Sequence, residues 1–213
     1  MQLYNYFRSS ASYRVRIALA LKGLAYDYLP VHLQRNEQMK PSYSELAPSR
    51  LVPTLIEDDG HVLTQSMAII EYLDETHPEP PLLPGDARAR ARIRALAQDV
   101  ACEIHPVDNL RVLRYLVHEM KVGEDDKNRW YRHWVETGLE VVERRLAGHP
   151  QTGAFCHGDT PTLADCVLVP QIHNAQRFDC RLTHVPTVMR IFATCMQHDA
   201  FAKTQPSECP DAA

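Results

Sequence analysis

The chain has 213 residues, 45% of them hydrophobic and 23% charged, with 23 basic against 27 acidic side chains for a formal net charge of -4. This balance excludes disordered and collagen-like classes, and the lack of any block of like charges excludes an electrostatic footprint for nucleic acid. No stretch approaches the roughly 20 apolar residues that span a bilayer, and the start lacks a charged and then apolar leader, so a cytosolic chain without a membrane partner is expected.

Cys102, Cys156, Cys166, Cys180, Cys195 and Cys209 form no C-x-x-C pair, so they read as reduced thiols. Cys102 with His105, and Cys156 with His157, are half-sites without a second pair at matching spacing, so no metal is expected.

In chain order, residues 3–6 are β-prone, and Arg8-Ser9-Ser10 is a turn whose hydroxyls suit a helix cap. Val15, Ala18 and Leu19 predict a helix over about 10–22, with Gly23 at its exit. Residues 26–33 read as the next strand and 41–46 as a short helix. Residues 52–57 and 61–64 flank Asp58-Asp59-Gly60, a hairpin signal, and Ser66 is predicted to cap a helix that ends before Pro78. Together these give a small α/β domain over 1–80, followed by a proline-rich linker at 81–85. From 86 to 213 an all-helical domain is predicted, with helices over 88–115, 128–146 and 162–175, the last opened by Thr162-Leu163-Ala164-Asp165 in an acidic variant of the capping box.

The run Tyr6-Phe7-Arg8-Ser9-Ser10-Ala11-Ser12-Tyr13-Arg14-Val15-Arg16-Ile17-Ala18-Leu19 resembles the signature of the zeta-class glutathione transferases, the family of maleylacetoacetate isomerase and maleylpyruvate isomerase. The resemblance extends to Leu51-Val52-Pro53-Thr54-Leu55, to residues 65–73 and 158–165, and to Val169-Pro170-Gln171. It implies a thioredoxin-like N-terminal domain that binds glutathione, an all-α domain that completes the substrate pocket, and a homodimer. The implied reaction is glutathione-dependent cis–trans isomerisation of a small dicarboxylic keto acid, maleylacetoacetate to fumarylacetoacetate. The alternatives are the same reaction on maleylpyruvate or general conjugation of electrophiles.

On the residues alone, serines before a helix are caps. A helix N-terminus also offers amides and partial positive charge, which lower the pKa of a thiol held there. The resemblance therefore makes Ser9 and Ser10, with Arg8 beside them, the catalytic group around the glutathione sulfur. Ala11 stands where the family usually has cysteine, which leaves the two serines to share that role. Val52-Pro53 reads as a strand start, but the resemblance implies a cis peptide and backbone pairing to the tripeptide. Gln65 and Ser66 open a helix whose amides suit the γ-glutamyl carboxylate. The resemblance assigns Gln38, His105 and Asn109 to the remaining polar parts of glutathione.

Arg8, Arg111 and Arg177 set the expected substrate class. Planar guanidinium groups bind carboxylates bidentately and stay charged at any working pH. Arg177 lies in Asn174-Ala175-Gln176-Arg177-Phe178, a segment that the resemblance places at the same pocket as Arg8. Arg111, with His105-Pro106 and Asn109, follows a bacterial maleylpyruvate isomerase pattern.

Overall fold

The computed structural model describes residues 1–212. The chain forms two units, Leu83–Met196 and a discontinuous one made of Met1–Leu82 with the segment from Gln197 onward.

The first unit is built on a sheet of four strands in the order β2-β1-β3-β4. β1 (Gln2–Asn5) runs parallel to β2 (Asp27–Pro30) and antiparallel to β3 (Thr54–Ile56), which turns back into β4 (Val62–Thr64). Leu3 and Leu55 face each other across β1 and β3 and are fully buried. Between β1 and β2 runs α1 (Ser10–Leu21), which begins at the N-cap Ser9 and ends where Gly23 adopts φ 64, a left-handed exit that a side chain would strain. α2 (Pro41–Ser44) is a single turn, and α3 (Ser66–Thr76) lays Ile69, Ile70 and Leu73 into the core. Each of these aliphatic side chains contributes about 1.5–3 kcal/mol by leaving water. This is the predicted thioredoxin-like α/β arrangement.

The strand expected over 26–33 is shorter, because the chain leaves the sheet after Pro30 and enters a 3-10 turn at Leu33–Arg35. Proline has no N–H to continue the ladder.

The second unit is helical. α4 (Ala87–Gln98) is capped by Asp86, whose Oδ1 accepts the N–H groups of Arg88 (3.0 Å) and Ala89 (2.9 Å). The single helix predicted over 88–115 is instead broken into α4, a π-helical turn (Asp99–Ile104), α5 (His105–Asp108) and α6 (Leu110–His118). Pro106 lies at the break. It supplies no N–H and its ring crowds the preceding turn, so the ladder widens before it, and Asn109 then restarts the helix from an extended conformation. Gly138 on α7 (Glu124–Leu146) is required here, since a Cβ would lie 2.3 Å from Ile104 Cγ1 on the π turn. α7 starts earlier than predicted, with Glu124, Asp125 and Asp126 in a first turn that the helix dipole favours.

α8 (Leu163–Arg177) begins at Thr162, as predicted. The fully buried Asp165 accepts the Thr162 N–H and hydroxyl, each at 2.8 Å, and the Cys156 N–H at 2.8 Å. Burial pushes its carboxyl pKa upward while these bonds pull it down. α9 (Pro186–Cys195) completes this unit.

After Met196 the chain belongs to the first unit again, with α10 (Asp199–Ala202) and a 3-10 turn at Pro206–Glu208. The helical domain expected over 86–213 therefore stops at Met196. The reason is polar as well as apolar. The buried Tyr13 hydroxyl donates to the Phe201 C=O at 2.7 Å, and Arg16 Nε donates to the Thr204 C=O at 3.0 Å, so two side chains of α1 find their acceptors in the C-terminal segment.

Candidate active site

In the first unit the polar groups converge at two helix N-termini. At α1, Ser9 is the N-cap: its Oγ accepts the Ser12 N–H at 3.2 Å, and the helical ladder opens with Tyr13 N–H to Ser9 C=O at 2.9 Å. A hydroxyl has one proton and two acceptor sites, so this capping bond leaves the Ser9 proton to donate elsewhere. Ser9 is half-buried, Ser10 is buried as the first helical residue, and Arg8 is exposed with its guanidinium 4.9 Å above the Phe7 ring.

At α3 the N-cap is Gln65, not the predicted Ser66, which is the first helical residue. Gln65 has φ 70 and ψ 112, a strained conformation for a residue with a Cβ. The buried Ser66 hydroxyl accepts a hydrogen bond from Arg14 Nη1 at 3.3 Å. A buried guanidinium thus reinforces the positive end of α3, and an anion there meets amides, a hydroxyl and a full charge.

The Val52-Pro53 peptide is cis, as the resemblance implied. Its loop is pinned by Tyr43, whose hydroxyl donates to the Leu51 C=O at 2.6 Å and meets Thr54 Oγ1 at 2.9 Å. Gln38 is buried on a 3-10 turn (Glu37–Met39), and its Oε1 has no hydrogen-bond partner.

In the second unit, Asn109 caps α6, its Oδ1 accepting the N–H groups of Arg111 (3.1 Å) and Val112 (3.3 Å). Its side-chain oxygen is therefore committed to the helix. The exposed Arg111 lies in the first turn of α6, where the dipole disfavours a cation and welcomes an anion beside it. Arg177 is the last residue of α8, exposed, with its guanidinium 4.9 Å above Phe178, and Phe178 in turn stacks on Tyr131 at 3.7 Å. Among the described residues, no carboxylate ion-pairs with Arg8, Arg111 or Arg177. His105 opens α5 and is half-buried.

The family models for the glutathione S-transferase N-terminal and C-terminal domains match residues 3–81 and 129–185. A maleylpyruvate isomerase of Ralstonia sp is 47% identical over 213 residues, covering 100% of both chains. The chain belongs to the glutathione S-transferase family.

Two solved structures place this transferase further. The holo structure of a maleylpyruvate isomerase, described as a bacterial zeta-class transferase, gives a TM-score of 0.97 at 47% identity over 100% of both chains. A maleylacetoacetate isomerase from Anaeromyxobacter dehalogenans 2CP-1, with dicarboxyethyl glutathione and citrate in its active site, gives 0.89 at 45% identity, covering 100% of this chain and 97% of that one. The chain is thus a zeta-class transferase, and glutathione is its cofactor.

The residues of this transferase fit glutathione on their own terms. A tripeptide with two carboxylates and an amine would meet the Arg14-backed end of α3 and the unpartnered Oε1 of Gln38. Sequence reasoning missed Arg14, because an arginine inside an amphipathic run reads as surface, and it missed Ser12, whose N–H locks the Ser9 rotamer.

It also missed Asp108, which is 6% exposed with neither carboxylate oxygen hydrogen-bonded, so that burial pushes its pKa to about 8. The unfolded chain ionises this group near 3.9, so between about pH 4 and 8 the native state holds the extra proton and stability falls as pH rises, by at most about 1.4 kcal/mol per pH unit. Asp108→Asn should raise the melting temperature at pH 8 by several degrees and leave it nearly unchanged at pH 4. Parallel melting curves for the two proteins across that range would contradict this assignment.

Proposed function

We propose that this zeta-class transferase is a glutathione-dependent cis–trans isomerase of a maleyl keto acid, with maleylacetoacetate as the principal substrate. The observation that carries the reading is the set of three guanidinium groups without carboxylate partners, Arg8 beside the α1 N-terminus, Arg111 and Arg177. A neutral electrophile has no use for them. A substrate with two acid groups does.

When bound, glutathione supplies a thiolate that adds to one alkene carbon and leaves again, so the former double bond can rotate. The Ser9 and Ser10 hydroxyls donate to the sulfur, and the α1 dipole favours its charge. Arg14 with Ser66 holds the γ-glutamyl carboxylate, the Val52 backbone pairs with the cysteinyl portion, and Gln65, Gln38, His105 and Asn109 serve the other polar ends. Arg8, Arg111 and Arg177 hold the substrate carboxylates and stabilise negative charge that moves toward the ketone. Positioning and charge stabilisation suffice in kind, and no side chain has to carry a proton.

Maleylpyruvate is the second reading, supported by Arg111 with His105-Pro106 and Asn109, the pattern that resembles bacterial maleylpyruvate isomerases, and by the 47% identity to one such enzyme. The chain is also read as a homodimer working in the cytosol. Its free cysteines suit a reducing compartment. Among the described residues, no helix is long and apolar enough to cross a membrane. Sedimentation at a single-chain mass under micromolar conditions would refute the dimer.

The deciding experiment assays both maleyl substrates with and without glutathione. Turnover should require glutathione and leave its concentration unchanged. Isomerisation that survives exhaustive removal of glutathione would end the reading, and conjugate accumulating in place of isomer would favour the general-transferase alternative.

A further inference from the structure

Phe7 stands immediately before Arg8 and Ser9, and side chains hold both of its backbone groups. Its N–H donates to Asp211 Oδ2 at 3.2 Å, and its C=O accepts from Arg16 Nη2 at 3.2 Å. The other Asp211 oxygen accepts the Tyr28 hydroxyl, which burial keeps protonated well beyond the ordinary tyrosine range. Arg16 is 1% exposed, and it ties the same peptide to Asn5 Oδ1 at 3.0 Å and to the Thr204 C=O at 3.0 Å. Cys209 and Ala212 pack into one apolar cluster with Tyr6, Phe7 and Val52.

The groups that fix the segment from Gln197 onward meet the loop that leads into Ser9 and Ser10. An amide donating to a carboxylate makes a charge-assisted bond, roughly twice as strong as a neutral one. Asp211 acts across 204 residues of sequence on the Tyr6–Phe7 peptide, the one before the Phe7–Arg8 peptide that Arg16 holds.

We propose that the segment from Gln197 onward is a strap that sets the geometry of the Arg8-Ser9-Ser10 loop, with Asp211 as a positioning residue for the glutathione thiolate. The proposal rests on the reading that this loop holds the sulfur. A merely structural tail would support stability and leave the chemistry of the folded enzyme unchanged. A positioning strap changes the chemistry in enzyme that is still folded.

The test uses the full chain carrying Asp211→Ala, Asp211→Asn or Tyr28→Phe. The measurements are the thiolate absorbance titration of bound glutathione, kcat and KM for isomerisation and for conjugation of a neutral electrophile, and the melting temperature. Asp211→Ala should lower kcat about tenfold in both reactions, as expected for a small misplacement of a reacting group. It should also move the thiol titration upward by about 0.5 in pH or more, with KM for glutathione scarcely changed. Asp211→Asn should restore most of kcat, because its amide oxygen still accepts the Phe7 N–H. Tyr28→Phe should act in the same direction more weakly.

An Asp211→Ala enzyme with wild-type kcat and titration overturns the proposal, whatever its melting temperature. If that variant fails to fold, Tyr28→Phe decides: a raised titration supports the strap and an unchanged one overturns it. A wild-type enzyme that binds glutathione but turns over neither maleyl substrate ends the isomerase reading alone, since the titration and the neutral conjugation still report on the strap.

Discussion

Arg177→Met and Arg8→Met should each lower kcat/KM on the dicarboxylate substrate by well over tenfold, while the affinity for glutathione stays nearly constant. Both side chains are exposed and unpaired by carboxylates, so Arg8→Met should barely change stability, whereas Arg177→Met also removes the cation beside the buried Tyr131 hydroxyl and should lower stability somewhat. The loss comes with the substrate. Truncating one partner of a desolvated charge pair typically costs about 2–5 kcal/mol, equivalent to roughly 30-fold or more. Arg177 carries a further constraint, because its guanidinium lies over the ring of Phe178, which is itself stacked on Tyr131. A flat shelf of this kind limits the directions the fork can take, so Arg177→Lys should rescue less than its charge suggests. Arg111→Ser should shift preference from the shorter toward the longer maleyl acid. Conjugation of a neutral electrophile is the control: if all three substitutions impair it equally, the arginines are structural and the isomerase reading falls.

The second large effect is expected at the α1 N-terminus. Replacing Ser9 and Ser10 together with alanine should raise the pKa of bound glutathione and slow the chemistry more than it weakens binding. One hydrogen bond to a charged sulfur is worth about 1.5–3 kcal/mol, so a single replacement should slow turnover by tens of fold and the pair by more. Ser9 also caps α1 through the Ser12 N–H, and losing an N-cap costs about 0.5–2 kcal/mol of stability, so Ser9→Ala should lower the melting temperature as well as slow turnover. A thiolate titration in the double variant that overlays the wild type would rule out the hydroxyl role.

The parts of the molecule legible in the sequence are those governed by neighbours in sequence. Asp58-Asp59-Gly60 marks the hairpin because Gly60 takes φ 88 there, and Thr162 with Asp165 marks the start of α8 because the capping bond spans three residues. Ser9 as a helix cap follows from the same kind of local contact. The break around Pro106 had its signal in the chain, but hydrophobic periodicity continued through it and concealed the change of helix type. Gln65 was not legible as the cap of α3, because its strained φ is imposed by tertiary structure that no local preference records. Nor were Arg14 and Asp211 legible: one becomes buried only when α1 packs against α3, and the other meets Phe7 from the far end of the chain.

The discontinuity of the first unit bears on how the protein is made. Ribosomes deliver Met1–Leu82 first, and all of residues 83–196 must be synthesised before Phe201, Thr204 and Asp211 exist. At about 5–20 residues per second that is a wait of several seconds or more. Throughout it, the Tyr13 hydroxyl and the Arg16 Nε–H lack the Phe201 and Thr204 carbonyls that accept them in the folded protein. Water must serve them in the meantime, so α1 seals its core only after the segment from Gln197 onward has been made.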